Sequence, residues 1–415
     1  MQKTITITNK KEFLNTLKTF KLNTEKKQEI SKLTYFSIDY INKSLTIKNS
    51  DLDNYLINTF AIENDLTLPD YLINAFAIEN NLALPDNQEF LLNTKELLDA
   101  VNSCKKMDTL EIVVKNNFIT IGAFNLFFKN CEETHQRDLE IFKKSIETEK
   151  LENNLKNLLE FNIDKNLFIK NLKNSLNFAS NDETRPYLQG VAIKFKDNGL
   201  GFYATTGHFL IKINNFDNLD IIDNSNNNFF ILPIKLCKNL VASADILKDN
   251  IKIIFNNKDF VKIFSENLKI KGRLFDAEFP DANTVIPSTE AFKIELKTKA
   301  FFDAVKMANN VADSDNHNKI TLNFNNNKLL LTKKKQDNII FQLPLDFNSD
   351  NEVSDYAIIF NSKLLLKCIE TYKNFTNQDN IFISFQSDNK GRPVKIECLD
   401  ANKQVITILL LPHRF

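Results

Sequence analysis

The stretch Ala357-Ile358-Ile359-Phe360 is a short apolar strand that leads through a brief polar joint into a lysine-bearing amphipathic helix at 362–373. The same unit occurs six times along the chain. Its copies begin at Ile5-Thr6-Ile7, Phe90-Leu91-Leu92, Leu159-Glu160-Phe161, Phe229-Phe230-Ile231-Leu232, Phe292-Lys293-Ile294 and Ala357-Ile358-Ile359-Phe360. They form two interleaved series with three members each. Such repetition is typical of folds built from one supersecondary unit, so the sequence predicts three domains of like design.

Each predicted domain also contains a pair of strands in which polar and apolar residues alternate and a turn joins the strands. These pairs are 34–38 with 44–48, 191–196 with 201–205, and 320–324 with 329–332. The six helices are expected at 10–21, 94–106, 164–174, 233–245, 297–307 and 362–373. Two helices against a largely antiparallel sheet in each domain predict an α+β fold.

The expected boundaries follow from the positions of these units. Domain one is predicted at 1–143, a charged helical linker at 144–157, domain two at 158–288 and domain three at 289–415. Within domain one, 55–70 is repeated as 71–86 with three differences, which indicates a tandem duplication. Because the period is even, either copy can occupy the same strand position with the same side chains facing the core. The surplus copy is expected to form an extra loop or hairpin, with an added binding surface as the alternative.

The composition indicates a soluble globular protein, with 43% hydrophobic and 26% charged residues and a net charge of zero. No apolar run is long enough to span a membrane, and the first residues lack the apolar core of a signal peptide. The five cysteines form no CxxC pair, which favours reduced thiols over disulfides or zinc ligation. A cytoplasmic protein without a metal or cofactor is therefore expected.

Each of the six predicted helices carries more lysine than aspartate and glutamate together. Lysine is a good helix former, so these side chains could simply be solvated. Alternatively, six cationic helices that face one way would present a surface for a polyanion. The lysines that would face such a ligand are Lys10, Lys11, Lys18, Lys165, Lys170, Lys173, Lys299, Lys306, Lys363 and Lys367.

Five short motifs occur between and after these units, at 184–190, 204–210, 279–287, Phe360-Asn361 and 411–415. The first two read TRPYLQG and ATTGHFL, the third FPDANTVIP and the last LPHRF. In this order they match the R-x-Y-L-x-G, A-T-D-G-H-R-L, F-P-D-Y-x-x-V-x-P, F-N and M-P-M-R-L motifs of one family. The chain therefore resembles, over nearly its whole length, the bacterial DNA polymerase III β subunit, the β sliding clamp.

The resemblance implies a non-catalytic processivity factor rather than an enzyme. Two chains of three domains would close head to tail into a homodimeric pseudo-sixfold ring, with twelve helices lining a hole around duplex DNA. Contacts to phosphates would hold DNA without reading its sequence. The implied partners are double-stranded DNA, the DNA polymerase III α subunit, the clamp loader and other proteins with a clamp-binding motif. In domain one, Lys26 or Lys27 would take the place of a DNA-contacting arginine of the family.

The resemblance also implies a pocket between domains two and three that binds a short segment of these partners. Its wall would comprise Arg185, Tyr187, Leu188, Thr205, Gly207, His208, Leu210, Pro280, Val285, Asn361, Leu364, Leu409, Leu411, Pro412, His413 and Arg414. The chain departs from the family pattern at several of the surrounding positions. Phe209 and Thr284 replace arginines, Thr206 an aspartate and Leu364 a tyrosine, while Leu411 and His413 replace methionines. These changes predict a more apolar and less cationic pocket.

Two other classes of protein remain open. A hydrolase or nuclease with its site around Arg185 and His208 would need clustered acidic residues, and the sequence shows neither these nor a phosphate-binding loop. A lone histidine at a strand end is more often structural than catalytic. A diverged clamp-like interaction protein could keep the peptide pocket without forming a ring, and such a protein would remain monomeric.

Overall fold

The computed structural model describes most of the chain. The described residues are 3–23, 29–64, 88–104, 108–129, 137–142, 158–196, 199–215, 219, 221–223, 229–256, 259–311, 318–325, 328–335, 338–351, 353, 356–386 and 391–413. All six predicted helices are confirmed. They are α1 (Lys10–Asn23), α2 (Thr94–Ser103), α3 (Lys165–Leu176), α4 (Ile234–Ala242), α5 (Thr298–Asn310) and α6 (Ser362–Phe375). Residues 137–142 are also helical.

The polar joint between strand and helix provides the helix N-cap in four of these units. Asn93 accepts hydrogen bonds from the backbone N–H groups of the first turn of α2, and Asn361 does the same for α6. Asn9 accepts from the N–H of Glu12 in α1, and Asp164 from the N–H of Leu167 in α3. These side chains satisfy donors that have no partner inside the helix, so the joint determines where each helix begins.

The predicted strands of the six repeated units and all three predicted hairpins are confirmed. In chain order the strands are β1 (Lys3–Ile7), β2 (Leu33–Asp39), β3 (Ser44–Ser50), β4 (Asn54–Asn64), β5 (Gln88–Asn93), β6 (Leu110–Val114), β7 (Phe118–Ile121), β8 (Phe124–Phe127), β9 (Leu158–Asp164), β10 (Gly190–Lys196), β11 (Gly199–Thr205), β12 (Phe209–Asn215), β13 (Ile222–Asp223), β14 (Phe229–Pro233), β15 (Asn250–Asn256), β16 (Phe260–Ser265), β17 (Leu268–Arg273), β18 (Phe292–Lys297), β19 (Lys319–Asn325), β20 (Lys328–Lys335), β21 (Asn338–Ser349), β22 (Tyr356–Asn361), β23 (Asn380–Phe385), β24 (Val394–Leu399) and β25 (Val405–Leu410).

The chain forms two compact units, and the first comprises residues 1–169, 221–227 and 238–274. Its described strands form one sheet, in the order β13-β9-β15-β16-β17-β4-β1-β6-β7-β8, to which β2, β3 and β5 add a branch at β4. The strands β4 and β17 are far apart in the chain but pair directly, with Leu268 opposite Asn58.

The second unit comprises residues 170–220, 228–237 and 275–415. Its described strands form one sheet in the order β14-β10-β11-β12-β25-β24-β23-β18-β21-β20-β19-β22. The strands β12 and β25 meet here, with Phe209 opposite Leu410 and Leu210 opposite Leu409. This pairing brings the end of the described chain beside the Thr205–Phe209 turn.

The same order of elements occurs three times in the described residues. Each copy consists of a strand, a helix and three strands, and then of a second strand, a second helix and three more strands. A short extra strand, β13, interrupts the middle copy. This repetition agrees with the sequence pattern, whereas the three domain boundaries remain a prediction. The linker at 144–157 and the second duplicated copy at 71–86 lie outside the described residues. The first copy contributes residues 55–64 to β4.

The helices bury one face and expose the other, as the amphipathic pattern predicts. In α5, Phe301, Ala304 and Val305 are fully buried, while Lys299 and Lys306 are exposed. The two lysines are seven residues apart and therefore share one face of the helix. The apolar face thus fastens the helix to the protein and leaves the lysines in solvent.

Candidate functional site

A pocket of about 540 Å³ lies in the second unit, where β12 and β25 run side by side. We call it the first pocket. It is lined by Arg185, Tyr187, Leu188, Thr205, Gly207, His208, Phe209, Leu210, Pro280, Asp281, Ala282, Thr284, Val285, Arg392, Pro393, Leu409 and Leu411. Leu210, Ala282 and Leu409 form its buried apolar base, with Tyr203 and Ile286 packed against them. A cavity with an apolar base and a few polar groups at its rim is typical of a ligand site.

A second pocket of about 580 Å³ is also found in this unit. It is lined by Gly207, His208, Asn361, Leu364, Gly391, Leu411, Pro412 and His413. The two pockets share Gly207, His208 and Leu411. They are therefore adjoining parts of one continuous surface, which an extended chain segment could cover.

The turn between β11 and β12 shapes the wall that the pockets share. The Thr205 hydroxyl donates to the carbonyl of Phe209 at 2.7 Å and accepts from the N–H of Gly207 at 2.9 Å. Gly207 has a φ of +90°, a conformation that residues with a Cβ rarely adopt. The turn therefore requires glycine at this position and directs His208 outward, where its side chain is exposed.

The residues after β25 are held to this turn and to β22 by backbone hydrogen bonds. The N–H of Leu411 donates to the carbonyl of His208 at 2.8 Å, and the N–H of His413 donates to the carbonyl of Ile359 at 2.8 Å. The first bond continues the β12–β25 pairing beyond the last strand, and the second attaches His413 to β22. They place the Leu411 side chain between the two pockets and that of His413 in the second.

Electrostatic contacts orient the charged residues at the rim. The Arg185 Nε donates to the Asp182 carboxylate at 2.7 Å. Hydrogen bonds from Thr184 and then from Arg185 hold the pKa of Asp182 below its usual value. Beneath the pocket, burial and the charge of Asp281 raise the pKa of Tyr203. The tyrosine is therefore a neutral part of the base, and Arg185 is held at the rim by its carboxylate.

The structure brings together fifteen of the sixteen residues that the sequence predicted for the pocket. Eleven line the first pocket, and the remaining four, Asn361, Leu364, Pro412 and His413, line the second. Arg414 lies outside the described residues. The role of these residues in binding a partner stays a prediction.

The sequence missed some residues that line the pockets. Phe209 and Thr284 were noted only as departures, and Asp281, Ala282, Gly391, Arg392 and Pro393 were not identified. Asp281 and Ala282 lie between predicted residues on one loop and could have been inferred. Arg392 could not, because it reaches the site only through the pairing of Val394 with Leu410.

The Phe209 ring is almost fully buried and packs against Phe178, with ring centres 4.5 Å apart. The Lys367 ammonium lies 6.0 Å from the centre of the Phe209 ring. An aromatic ring therefore occupies the position at which the family pattern has arginine. Whether the first pocket is more apolar and less cationic than the family pattern stays a prediction.

Seven of the predicted DNA-facing lysines are exposed on the helices. They are Lys11, Lys18, Lys173, Lys299, Lys306, Lys363 and Lys367. Lys26 and Lys27 lie outside the described residues. Their exposure is compatible with a contact to phosphate, and their role in binding DNA stays a prediction.

The other three predicted lysines are engaged by the protein itself. Lys10 is only 8% exposed and donates to the backbone carbonyl of Cys104, so it is withdrawn from the DNA-facing set. Lys165 donates to the carbonyl of Leu247 at 3.0 Å. Lys170 lies 3.3 Å from the buried carboxylate of Asp400. The last two are therefore weaker candidates than the exposed lysines.

One further expectation about the helices is corrected. The sequence predicted a surplus of lysine on every helix, but α2 ends at Ser103 and contains Lys95 against Glu96 and Asp99. Its predicted surplus depended on Lys105 and Lys106, which lie outside the described residues. The other five helices keep an excess of lysine over acidic residues within their observed bounds.

Within the part of the chain that the structure describes, no group of three or more His, Cys, Asp or Glu side chains is arranged to hold a metal ion. No helix in the same residues is both long enough and apolar enough to cross a membrane.

Solved structures show which class of protein has this fold. The DNA polymerase III β subunit of Thermotoga maritima matches with a TM-score of 0.76 and 17% identity, and the match covers all of both chains. A sliding clamp of Bartonella birtlesii bound to griselimycin matches with a TM-score of 0.76, 18% identity and the same coverage. The fold is therefore that of the bacterial DNA sliding clamps.

Sequence comparisons identify the family. Residues 162–281 match the model of the central domain of the DNA polymerase III beta subunit, and residues 283–414 match that of its C-terminal domain. The chain belongs to the bacterial DNA polymerase III β subunit family. It is 26% identical to the beta sliding clamp of Rickettsia bellii over 52% of this chain and 54% of that protein. The corresponding values for Bacillus subtilis are 28%, 52% and 53%. The matched part thus spans about half the length of these curated relatives.

Proposed function

We propose that this protein is a DNA polymerase processivity factor, a homodimeric ring that encircles duplex DNA and tethers the replicative polymerase. Family membership and the sliding-clamp fold support this function. The proposal includes a non-catalytic role without a cofactor and a cytoplasmic location. The partners would be the polymerase III α subunit, the clamp loader and other proteins that carry a short clamp-binding segment.

The observation that carries the proposal is a strand pairing that recurs at equivalent positions. In each repeat we compare the fourth strand with the last strand. The fourth strand of the first repeat, β4, pairs with the last strand of the second repeat, β17. Likewise β12 of the second repeat pairs with β25 of the third. In both cases the fourth strand of one repeat pairs with the last strand of the next repeat. If the same pairing applies to the third repeat, its fourth strand, β21, pairs with the last strand of the first repeat, β8.

Among the described strands, β8 is a sheet edge that pairs only with β7. The strand β21 pairs along one side with β20, and on its other side only Phe347–Ser349 face β18. Its residues 338–346 therefore present an open edge. In β4 the corresponding segment is the one that pairs with β17, while the end of that strand pairs with β1.

The two open edges also expose apolar side chains. Phe127 on β8 is 57% exposed and Ile339 on β21 is 54% exposed, with Phe124 and Ile340 beside them. An exposed apolar edge strand readily pairs with another chain. If β8 of each protomer pairs with β21 of its partner, two identical interfaces close the dimer. The open edges of β8 and β21 are then paired in both protomers.

The exposed helix lysines would supply the DNA contacts. Lys11 and Lys18 share one face of α1, and Lys299 and Lys306 share one face of α5. A ring needs to hold DNA without stopping on a particular sequence. Lysine contacts to phosphates satisfy this requirement because they carry no base information.

The adjoining pockets would supply the partner site. The apolar first pocket can take the anchor side chains of an extended segment, and the second pocket, whose lining includes His208, Asn361 and His413, can hold another part of it. Since the pockets share a wall, a few consecutive residues of a partner could occupy both.

The test measures the mass in solution and the retention on DNA. Light scattering should give about twice the 47.9 kDa of one chain. After treatment with its clamp loader, the protein should remain on nicked circular plasmid and slide off the linear form. A monomer, or equal retention on the two forms, would overturn the ring and leave a clamp-like protein that only binds partner peptides.

A further inference from the structure

An aromatic side chain lies among the exposed lysines of the third repeat. Phe302 is half-buried on α5, while Lys306 on the same helix and Lys373 on α6 are exposed. The Lys373 ammonium lies 3.9 Å from the centre of the Phe302 ring, and the Lys306 ammonium lies 5.8 Å from it. One ring therefore attracts two cations that come from two different helices.

Helix geometry and helix packing produce this arrangement. Phe302 and Lys306 are four residues apart in α5 and so lie on one face of that helix. The helices α5 and α6 pack against each other, and Lys373 lies in the last turn of α6. The apolar faces of the two helices, which include Phe301 and Leu365, are buried beneath. The ring and the two ammonium groups consequently meet at the surface of the helix pair.

The two lysines keep their hydrogen-bond donors for a ligand. Among the residues that the structure describes, neither Lys306 nor Lys373 forms an ion pair with a carboxylate, although Asp303 and Glu370 are close to them in the sequence. An aromatic face attracts a cation through its quadrupole. Each ammonium carries three N–H donors. These donors can therefore turn towards an anion while the ring holds the charge in place.

Comparison of the repeats shows where the aromatic ring occurs. The ninth residue of the first helix is a lysine in every repeat, and these residues are Lys18, Lys173 and Lys306. The residue four positions earlier is Leu14 in α1, Ile169 in α3 and Phe302 in α5. An aliphatic side chain in this place has no ring quadrupole. Of these three helices, α5 is thus the one that combines the repeated lysine with an aromatic partner.

We infer that Phe302 positions Lys306 and Lys373 as a paired site for the phosphates of duplex DNA. This inference rests on the proposed function and adds Lys373, which the sequence did not place among the DNA-facing lysines. A free lysine side chain loses much rotamer freedom when it is immobilised. The ring restrains both side chains beforehand, so less freedom is lost when they bind a phosphate. Phe302 is a positioning residue because it acts through the two lysines.

The contacts of the ring favour this role over stacking with an unpaired base. A stacking residue presents a ring face to the base. The ring of Phe302 is half-buried, and Lys373 lies over it at 3.9 Å. The groups that the site exposes are the two ammonium groups, and their donors suit phosphate oxygens.

The experiment compares two substitutions of the ring in the full-length protein. Anisotropy titration with a short fluorescein-labelled duplex at low salt measures the affinity. Phe302→Leu should weaken binding about twofold to threefold, because a leucine cannot attract the ammonium groups. Phe302→Trp should retain the wild-type affinity, since tryptophan is the best aromatic partner for a cation. Equal loss in the two variants would overturn the role of the ring.

A similar pair on the strands provides the matched control. The Lys293 ammonium on β18 lies 4.9 Å from the centre of the Phe382 ring on β23. Phe382→Leu removes a lysine–aromatic contact of the same kind from a place outside the helices. Its affinity for the duplex should equal that of the wild type. Weakening as large as that of Phe302→Leu would contradict the assignment of the site to α5 and α6.

A double-mutant cycle tests whether the ring acts through the lysines. Lys306→Gln combined with Lys373→Gln should weaken binding and lower the slope of log K against log salt by about two. In that background, Phe302→Leu should cause no further loss. The same loss in both backgrounds would show that the substitution acts through the fold instead. A thermal melt of each variant shows whether it is folded.

The outcomes separate this inference from the proposed function. If the wild type binds the duplex and remains on circular plasmid, but the Phe302 and lysine variants bind equally well, the paired site is overturned and the clamp stands. If the wild type neither binds the duplex nor remains on circular plasmid, the proposed function fails and the inference fails with it.

Discussion

The adjoining pockets and the lysine-bearing helix faces are two interaction surfaces of opposite construction. The pockets combine residues from six separate segments, held together by the β12–β25 pairing and the Gly207 turn. The helix faces arise from local spacing alone, since Lys11 and Lys18 share a face by helical geometry. We therefore expect partner specificity to be concentrated in the pockets and attraction to DNA to be distributed over many equivalent charges.

This difference has an energetic consequence. An apolar anchor that fills a pocket is a single contact that no neighbour can replace, so its loss weakens binding in full. An exposed lysine acts through a screened, long-range potential to which its neighbours also contribute. We therefore expect single substitutions to be severe in the pockets and mild on the helices.

The largest effect is expected at Leu411, which lines both pockets. Leu411→Ser should weaken binding of a partner peptide about 30-fold, which corresponds to the roughly 2 kcal/mol of a central apolar contact. Anisotropy titration measures the affinity. The matched control is Leu399→Ser, because Leu399 is 55% exposed on β24 and lines neither pocket. Equal weakening by both variants would contradict the assignment of the pocket.

The open edges of β8 and β21 should show an effect of intermediate size. They involve few residues, but the same contact occurs in both interfaces of the proposed dimer. Phe127→Glu should raise the dissociation constant of the dimer by roughly tenfold or more, since a charge would be placed in an apolar interface. Analytical ultracentrifugation measures this constant. Leu52→Glu is the control, because Leu52 is 60% exposed and lies outside the strands. An unchanged dimer in the Phe127 variant would remove β8 from the proposed interface.

The helix faces should respond gradually. The double variant Lys11→Gln and Lys18→Gln should reduce the slope of log K against log salt for duplex DNA by about two, because each phosphate contact contributes close to one. Equilibrium binding at several salt concentrations gives the slope. Replacing Lys269 and Lys328, which are exposed on strands, provides the control. If the control pair lowers the slope equally, the DNA surface does not lie on the helices.

The smallest effect is expected at Asp182, which is half-buried at the pocket rim. Its pKa is held below the usual value by Thr184 and Arg185, so its stabilising effect is present above the ordinary pKa of about 3.9 and is lost as the pH falls through the lower folded value. Asp182→Asn should therefore lower the melting temperature slightly at pH 7 and not at all at very low pH. A constant difference at every pH would show that the charge is not the cause.

Much of the fold was predictable because it depends on short-range patterns. The six helices and three hairpins follow from apolar periodicity, and Asn93 and Asn361 mark helix starts through their capping side chains. Fifteen pocket residues were identified because five motifs follow a family order. Phe209 and Arg392 show the limit of this reasoning. Phe209 was noted only as a departure, and Arg392 lines the first pocket because β24 pairs with β25.

The sequence by itself determined the repeated unit, the amphipathic helices and their exposed lysines, because each depends on residues within a few positions of one another. Only the tertiary structure decided which charges remain available. In the folded chain, Lys10 donates a hydrogen bond to the Cys104 carbonyl, and Lys170 forms an ion pair with buried Asp400. It also brought His208 and His413 into one pocket through the ladder between β12 and β25. Contacts between distant segments depend on strand register and burial, which no local pattern specifies.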